Sequence, residues 1–228
     1  MGIVHDILDF IFPRNCAGCY NSLVSNENFI CTDCLFHLPK TGFWKETNNP
    51  AAQLFWGKVK IENTASYFYF QKKSRVQNIF HHLKYKDMKE LGEMLGKLFG
   101  EELHNTSYAS ADAIIPVPLH KSRMKKRGYN QSEWIANGLS TALSIPVDNT
   151  SVVRVSFNET QTSKGRYARW KNVENIFSVA DSQTLENKHI VLVDDILTTG
   201  ATLEACANVI LQVPGTKVSI LTLAKAER

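Results

Sequence analysis

The chain has 228 residues, of which 43% are hydrophobic and 21% are charged, a composition typical of a globular protein. A formal net charge of +4 suits an anionic ligand but is too small to indicate nucleic-acid binding by itself. No apolar run approaches the roughly 20 residues of a membrane span. Residues 2–12 carry Asp6 and Asp9 and lack the positive start of a signal peptide, so they predict a short packing helix. We therefore expect a cytoplasmic protein with no membrane span.

Two Cys-x-x-Cys pairs lie close together near the start of the chain. Their four cysteines are Cys16, Cys19, Cys31 and Cys34. Four thiolates at this spacing can surround one metal ion, as in structural zinc sites, and they leave no open position for catalysis. A disulfide is disfavoured in a cytosolic protein, whereas a redox-active or metal-free cluster stays open as an alternative. Cys206 stands alone in a helical pattern and is interpreted as a core residue.

The first 63 residues differ from the rest of the chain in their composition, and they predict two segments that precede the main domain. Residues 1–40 hold the N-terminal helix and the cysteine pairs, whereas residues 41–63 are rich in turn-forming and polar residues and read as an irregular connection. The main domain then covers residues 64–228. Its first predicted elements are a strand over residues 64–71 and two helices over residues 74–84 and 87–104.

A second apolar strand begins at Ala113 and meets Pro116 and Pro118, which must end regular strand pairing. The basic residues that follow are Lys121, Arg123, Lys125, Lys126 and Arg127. A basic turn at a strand end is a natural place for a pyrophosphate, and we expect anion binding chiefly from Lys121 and Arg123. A solvated basic loop is the alternative.

A long basic segment covers residues 154–172 and has few apolar anchors. Such a segment is often a lid that closes over an anionic substrate. The candidate lid residues are Lys164, Arg166 and Arg169. A surface loop without function is the alternative.

Residues 190–202 are the most informative run. Residues 190–193 are all apolar and predict a strand buried on both faces, as in a parallel sheet. Asp194 and Asp195 follow, and then a turn rich in hydroxyl groups leads into a helix. Carboxylates accept hydrogen bonds from sugar hydroxyls, and a helix N-terminus attracts phosphate. The run therefore predicts a site for a ribose 5-phosphate, unless the two acids are only solvated charges at a strand end.

This run resembles the phosphoribosyl pyrophosphate (PRPP) signature of type I phosphoribosyltransferases: two acids, two apolar residues and a Thr-Thr-Gly-x-Thr loop. Together with the cysteine pairs and four further strings, the chain is identified as a member of the ComF family, with the GntX proteins as close relatives. The strings are Lys84-Tyr85, Pro116-Val117-Pro118-Leu119, Arg127-Gly128-Tyr129-Asn130-Gln131 and Gln161…Arg169…Asn172. The resemblance implies an α/β, Rossmann-like fold with a mainly parallel sheet flanked by helices, preceded by a small zinc-ribbon-like module.

The resemblance also implies roles for residues. Asp194 and Asp195 would bind the ribose hydroxyls, and residues 118–123 would contact pyrophosphate through Leu119, Lys121 and Arg123. The residues expected to hold the 5-phosphate are Thr198, Thr199, Gly200, Ala201 and Thr202. Mg²⁺ would accompany PRPP, largely through water. The expected catalytic residues are Asp194, Asp195, Lys121 and Arg123.

The function that the resemblance implies is DNA uptake during natural transformation, together with a competence helicase and a DNA-processing protein. The chain is then a PRPP-dependent phosphoribosyltransferase whose acceptor the sequence does not name. Two alternatives stay open. One is a non-catalytic module that senses PRPP or a ribose-5-phosphate nucleotide, and the other is a competence factor that binds single-stranded DNA.

Overall fold

The computed structural model describes residues 14–155 and 176–227. The predicted N-terminal helix lies outside these residues. The same is true of Lys164, Arg166 and Arg169, so the lid stays a prediction.

A four-stranded parallel sheet forms the centre of the described structure, with the strand order β1-β6-β5-β2. Two short strands, β3 and β4, pair in an antiparallel manner beside it. The strands are β1 (Thr64–Phe70), β2 (Ala113–Pro116), β3 (Val152–Arg154), β4 (Phe177–Val179), β5 (His189–Leu197) and β6 (Lys217–Ala226). The six described α-helices are α1 (Thr32–His37), α2 (Arg75–Tyr85), α3 (Lys89–Leu103), α4 (Lys121–Arg127), α5 (Gln131–Leu143) and α6 (Ala201–Ile210).

Strand β5 lies between β2 and β6, and its residues 190–193 are fully buried, which confirms the predicted two-faced strand. The strand continues past the acid pair to Leu197, paired with β6. Strand β2 ends at Pro116, opposite Val193. Because β5 extends beyond the end of β2, Asp194 and Asp195 lie where one edge of β5 no longer pairs with a neighbouring strand.

Helices α3 and α5 pack in very close contact, and glycine permits this. A Cβ atom at Gly138 would lie 2.0 Å from the carbonyl oxygen of Glu93, and one at Gly96 would lie 2.2 Å from that of Ile135. Any side chain would therefore push the two helices apart. The contact fixes α5, whose first turn reaches the acid pair.

The segment 41–63 packs on the core despite its irregular backbone, and Phe55 within it is 1% exposed. Asn49 organises it: the side-chain amide donates to the carbonyls of Phe43, Glu46 and Thr64, and its oxygen accepts from two backbone amides. Buried polar groups normally need such partners. One side chain thus ties the connection to the start of β1.

The cysteine-containing segment rests on α2. The Asn78 side chain donates to the carbonyl oxygen of Gly18 at 2.8 Å, and Arg75 pairs with Asp33 at 2.9 Å. Helix α2 therefore connects this segment to the main sheet. Among the described residues, no helix has the length and apolar character needed to cross a membrane.

Candidate phosphoribosyl site

A mainly polar cavity of about 310 Å³ opens at the carboxyl ends of β2 and β5. This is the edge at which open α/β sheets bind ligands. Asp194 and Asp195 line it together with the guanidinium groups of Arg123, Arg127 and Arg154. The cavity thus combines hydrogen-bond acceptors with a concentration of positive charge.

The two adjacent carboxylates have different partners. The Ser132 hydroxyl donates to Asp194 Oδ1 at 2.9 Å, whereas Lys84 Nζ lies 2.7 Å from Asp195 Oδ2. Burial raises the pKa of Asp194 to about 7, and the neighbouring charge of Asp195 acts in the same direction. The positive charge of Lys84 partly balances the pair.

Arg123 and Arg154 bring two positive charges to the same cavity. Burial lowers the pKa of Arg154, and the nearby positive charge of Arg123 lowers it further, while Asp194 opposes both. Two positive charges in one cavity repel each other, and a bound anion would relieve that repulsion. The arrangement favours a multiply charged anion such as pyrophosphate.

The Arg-Gly-Tyr-Asn-Gln string builds the wall of this cavity. Gly128 has a φ of +80° and ends α4, a conformation that glycine adopts without strain. The Tyr129 hydroxyl donates to the carbonyl oxygen of Leu83, next to Lys84. Asn130 caps α5 and donates to the carbonyl oxygen of Val117 at 3.0 Å. The string therefore positions Ser132 and Lys84 around the acid pair.

The loop before α6 supplies further residues of the cavity lining. Gly200 has a φ of +82° and precedes the first helical residue. A Cβ atom here would lie 3.1 Å from the Phe55 ring, so glycine is needed for both reasons. Thr198 and Thr202 line the cavity, beside the N-terminus of α6 with its positive dipole.

Six of the predicted site residues line the cavity. They are Leu119, Arg123, Asp194, Asp195, Thr198 and Thr202. The structure does not bring Lys121 into the cavity lining: it is exposed on α4. Thr199 and Ala201 are also exposed, and Gly200 lies buried beneath Phe55.

The basic segment is a helix rather than the predicted turn. The imidazole of His120 accepts the backbone N–H of Ser122 at the helix start, and three basic residues in the last turn suit the negative end of the helix dipole. This geometry aims only some of the basic side chains at the cavity.

Sequence reasoning alone missed the site roles of Lys84 and Ser132, and it placed Arg154 only in the candidate lid segment. Ser132 directly follows the Arg-Gly-Tyr-Asn-Gln string, which was the available signal. Lys84 belongs to the Lys84-Tyr85 string of the ComF resemblance, but its contact with Asp195 depends on how α2 packs. No pattern of neighbouring residues predicts a contact between residues so far apart in the sequence.

The four N-terminal cysteines form a compact cluster, with all Sγ atoms within 4.8 Å of one another. The Sγ atoms of Cys19 and Cys31 are 3.7 Å apart. A tetrahedral zinc ion with bonds of about 2.3 Å would separate sulfur atoms by about 3.8 Å, so the donor set fits this metal. Burial raises the pKa of Cys31 and of Cys34, whereas at Cys16 the backbone amides that donate to the sulfur outweigh burial and lower the pKa to about 7.

Residues 110–228 match the family described as phosphoribosyl transferase domain. The chain belongs to this family. Membership and the parallel sheet confirm the predicted fold class. Two curated relatives also confirm the resemblance to the ComF family.

Competence protein F of Haemophilus influenzae is 37% identical over 116 residues, which cover 50% of this chain and 51% of that protein. DNA utilization protein YhgH of Escherichia coli K12 is 30% identical over 151 residues, which cover 64% of this chain and 66% of that protein. The matched regions thus span about half to two thirds of these relatives. Among solved structures, glutamine PRPP amidotransferase of B. subtilis, complexed with ADP and GMP, is 19% identical with a TM-score of 0.45, covering 63% of this chain and 30% of that chain.

Proposed function

We propose that this chain is a PRPP-binding phosphoribosyltransferase-like protein of the ComF type that acts in DNA uptake. One observation carries the proposal: two aspartates and three arginines line one cavity beside a helix N-terminus. PRPP presents the complementary groups, namely two ribose hydroxyls, a pyrophosphate and a 5-phosphate.

Each chemical group of PRPP has complementary residues in the cavity. Asp194 and Asp195 accept hydrogen bonds from the ribose hydroxyls, and the loop 198–202 with the start of α6 holds the 5-phosphate. Arg123 and Arg154 bind the pyrophosphate, with Lys121 able to approach from α4. The hydroxyls of Thr198 and Thr202 add donors to the phosphate.

The carboxylates also fit a Mg²⁺ ion, which prefers oxygen ligands and keeps much of its water. When bound, Mg²⁺ would neutralise charge that develops on the pyrophosphate. The four cysteines would hold one structural zinc ion, which stabilises the N-terminal module.

The chemistry that this site supports is transfer of the phosphoribosyl group. As the C1–O bond to pyrophosphate breaks, the ribose develops positive charge, and the cationic wall stabilises the leaving group. Positioning and electrostatics would carry most of the catalysis. Lys84 keeps Asp195 in place at the ribose.

Pyrophosphate release tests the enzymatic part. The full chain with Mg²⁺ and PRPP is offered a panel of nucleobases, amines and nucleotides, and we expect release with at least one acceptor and none from Asp195→Asn. PRPP binding without release for any acceptor would contradict transfer and support the sensor alternative.

The proposed role in DNA uptake is supported by the similarity to competence protein F and DNA utilization protein YhgH. We propose a cytoplasmic location and action beside a competence helicase and a DNA-processing protein. In a naturally transformable host, replacing the gene with the Asp195→Asn variant should lower transformation frequency. Unchanged transformation at equal protein level would contradict the role.

Direct contact with single-stranded DNA is favoured by one further observation: Lys121, Lys125 and Lys126 are exposed on α4. Binding through phosphates weakens as salt is added, because counterions are released. A salt titration of oligonucleotide binding should therefore show a steep slope that flattens when these three lysines are replaced by glutamine. An unchanged slope would contradict the contact.

A further inference from the structure

The segment 41–63 contacts the loop that precedes α6, although the family match covers only residues 110–228. The contact is made by the ring of Phe55. A Cβ atom built on Gly200 would lie 3.1 Å from Cε1 and 3.3 Å from Cζ of this ring. The edge of the ring therefore lies on the side of Gly200 where any other residue would carry its side chain.

Phe55 is fixed within its own segment. It is 1% exposed, its backbone N–H donates to the carbonyl oxygen of Ala52 at 3.0 Å, and its carbonyl oxygen accepts from Lys58 at 3.1 Å. The side-chain oxygen of Asn49 accepts the backbone N–H groups of Ala51 and Ala52 at 2.9 and 3.0 Å. These hydrogen bonds fix the position from which the ring contacts the loop.

Gly200 needs such a support because glycine has little conformational preference of its own. Its φ of +82° is left-handed, and glycine adopts positive and negative φ about equally well. Its carbonyl oxygen accepts the N–H of Glu204 at 2.8 Å, so this residue sets how the loop enters α6. The Phe55 ring lies on one side of Gly200, and a methyl group of Leu197 lies 3.8 Å from the same Cβ position. Both contacts restrict the movement of the glycine.

The backbone N–H groups of residues 198–202 are donors that the proposed function assigns to the 5-phosphate, and we call these residues the 5-phosphate loop. A phosphate binds more tightly to N–H groups that are already ordered, because the free-energy cost of ordering them is then small. Without the ring, Gly200 could leave the left-handed region, and the N–H groups on either side of it would change direction.

We infer that Phe55 is a positioning residue of the phosphoribosyl site, which holds Gly200 in the conformation that the 5-phosphate loop requires. The inference rests on the proposed function, because it needs a phosphate in this loop. Phe55 acts through Gly200, since it does not belong to the residues that line the cavity. The segment 41–63 is then part of the binding site and not only a connection between two modules.

Two ligands separate this role from a general effect on stability. Ribose 5-phosphate needs the 5-phosphate loop, whereas inorganic pyrophosphate is expected at the arginines of the cavity. Both are titrated by calorimetry into the full chain with Mg²⁺. Phe55→Ala should bind ribose 5-phosphate about tenfold more weakly, the scale of the conformational entropy of one residue, and should bind pyrophosphate as wild type does. Phe55→Leu keeps a buried apolar side chain beside Gly200 and should restore most of the affinity.

The matched control is Phe99→Ala, which removes an equally buried ring that stacks on Tyr67 instead. It should lower the melting temperature but leave the affinity for ribose 5-phosphate unchanged. Equal affinity in Phe55→Ala and wild type, or an equal loss in Phe99→Ala, would overturn the positioning role.

If Phe55→Ala does not fold, Phe55→Val replaces it, because valine extends less far toward Gly200 than leucine does. Phe55→Val should then bind ribose 5-phosphate more weakly than Phe55→Leu, and equal affinity of Phe55→Val, Phe55→Leu and wild type would overturn the role. A wild type that binds neither ribose 5-phosphate nor PRPP would contradict the proposed function itself, and the inference with it.

Discussion

Asp194 and Asp195 are neighbours in sequence, yet the fold gives them different electrostatic surroundings. Asp195 faces the ammonium group of Lys84, whereas Asp194 accepts a hydrogen bond from the neutral hydroxyl of Ser132. One acid is thus held as an ion pair, and the other is held at a pKa of about 7 by burial and by its neighbour's charge. Such opposed surroundings are common at functional sites.

Asp194 should make the protein less stable as pH rises. Its pKa of about 7 in the folded protein lies above the value of about 3.9 in the unfolded chain, so its contribution to stability is complete below pH 4 and is lost as pH rises through 7. Between these values the loss reaches about 1.4 kcal/mol per pH unit. In urea unfolding, Asp194→Asn should gain stability relative to wild type between pH 5 and pH 8. A constant difference across this range would contradict the raised pKa.

Lys84 should matter more to stability than a surface lysine in a similar pair. Its side chain and that of Asp195 are 19% and 15% exposed, against 45% and 34% for Lys40 and Glu102. Lys84→Met leaves a carboxylate without its partner in a shielded place, which should cost roughly 1–3 kcal/mol, whereas Lys40→Met should cost about 0–1 kcal/mol. Urea unfolding at pH 8 measures both. Equal costs would mean that solvent screens the Lys84 pair as well.

At the scale of elements, local patterns were easier to predict than contacts between elements. The buried strand and the glycine loop after it are coded in consecutive residues, and both were predicted. The hydrogen bond from Ser132 to Asp194 joins residues 62 positions apart, and its formation depends on how closely α3 and α5 pack. The basic segment was misread as a turn because its helix is set by the His120 cap and the helix dipole rather than by an apolar stripe.

The close packing of α3 and α5 should tolerate no side chain at Gly138. Alanine favours a helix over glycine by about 1 kcal/mol, but its Cβ atom would lie 2.0 Å from the carbonyl oxygen of Glu93. The cost of overpacking should therefore exceed the gain in helix propensity, and Gly138→Ala should lower the free energy of unfolding in urea by about 1–3 kcal/mol. Gly92→Ala is the control, since its nearest contact is a flexible leucine methyl group at 3.0 Å. A Gly138→Ala protein as stable as the control would contradict this packing.

The cysteine cluster should bind one zinc ion per chain. Cys31→Ser removes one of four sulfur ligands, and zinc content by metal analysis should fall sharply, with loss of thermal stability. Cys206→Ala is the matched control, because that cysteine is buried in α6 and belongs to no cluster among the described residues. Equal zinc in wild type and Cys31→Ser would contradict the assignment.

At the scale of the whole molecule, α2 connects the cysteine-containing segment to the cavity at the end of β5. Its first turns hold the cysteine-containing segment through Arg75 and Asn78, and its last turn delivers Lys84 to Asp195. The family resemblance predicted both modules, but it could not predict that one helix joins them, since that depends on tertiary packing.

The central claim is that the cavity at the end of β5 binds PRPP, and calorimetric titration of the full chain with PRPP and Mg²⁺ tests it most directly. Wild type should release heat at one site per chain, and Asp195→Asn should bind roughly 10- to 100-fold more weakly, as expected for a lost hydrogen bond to a charged group. Asp181→Asn, an exposed acid outside the cavity lining, should bind as wild type does. No heat from wild type, or equal affinity in Asp195→Asn, would contradict the claim.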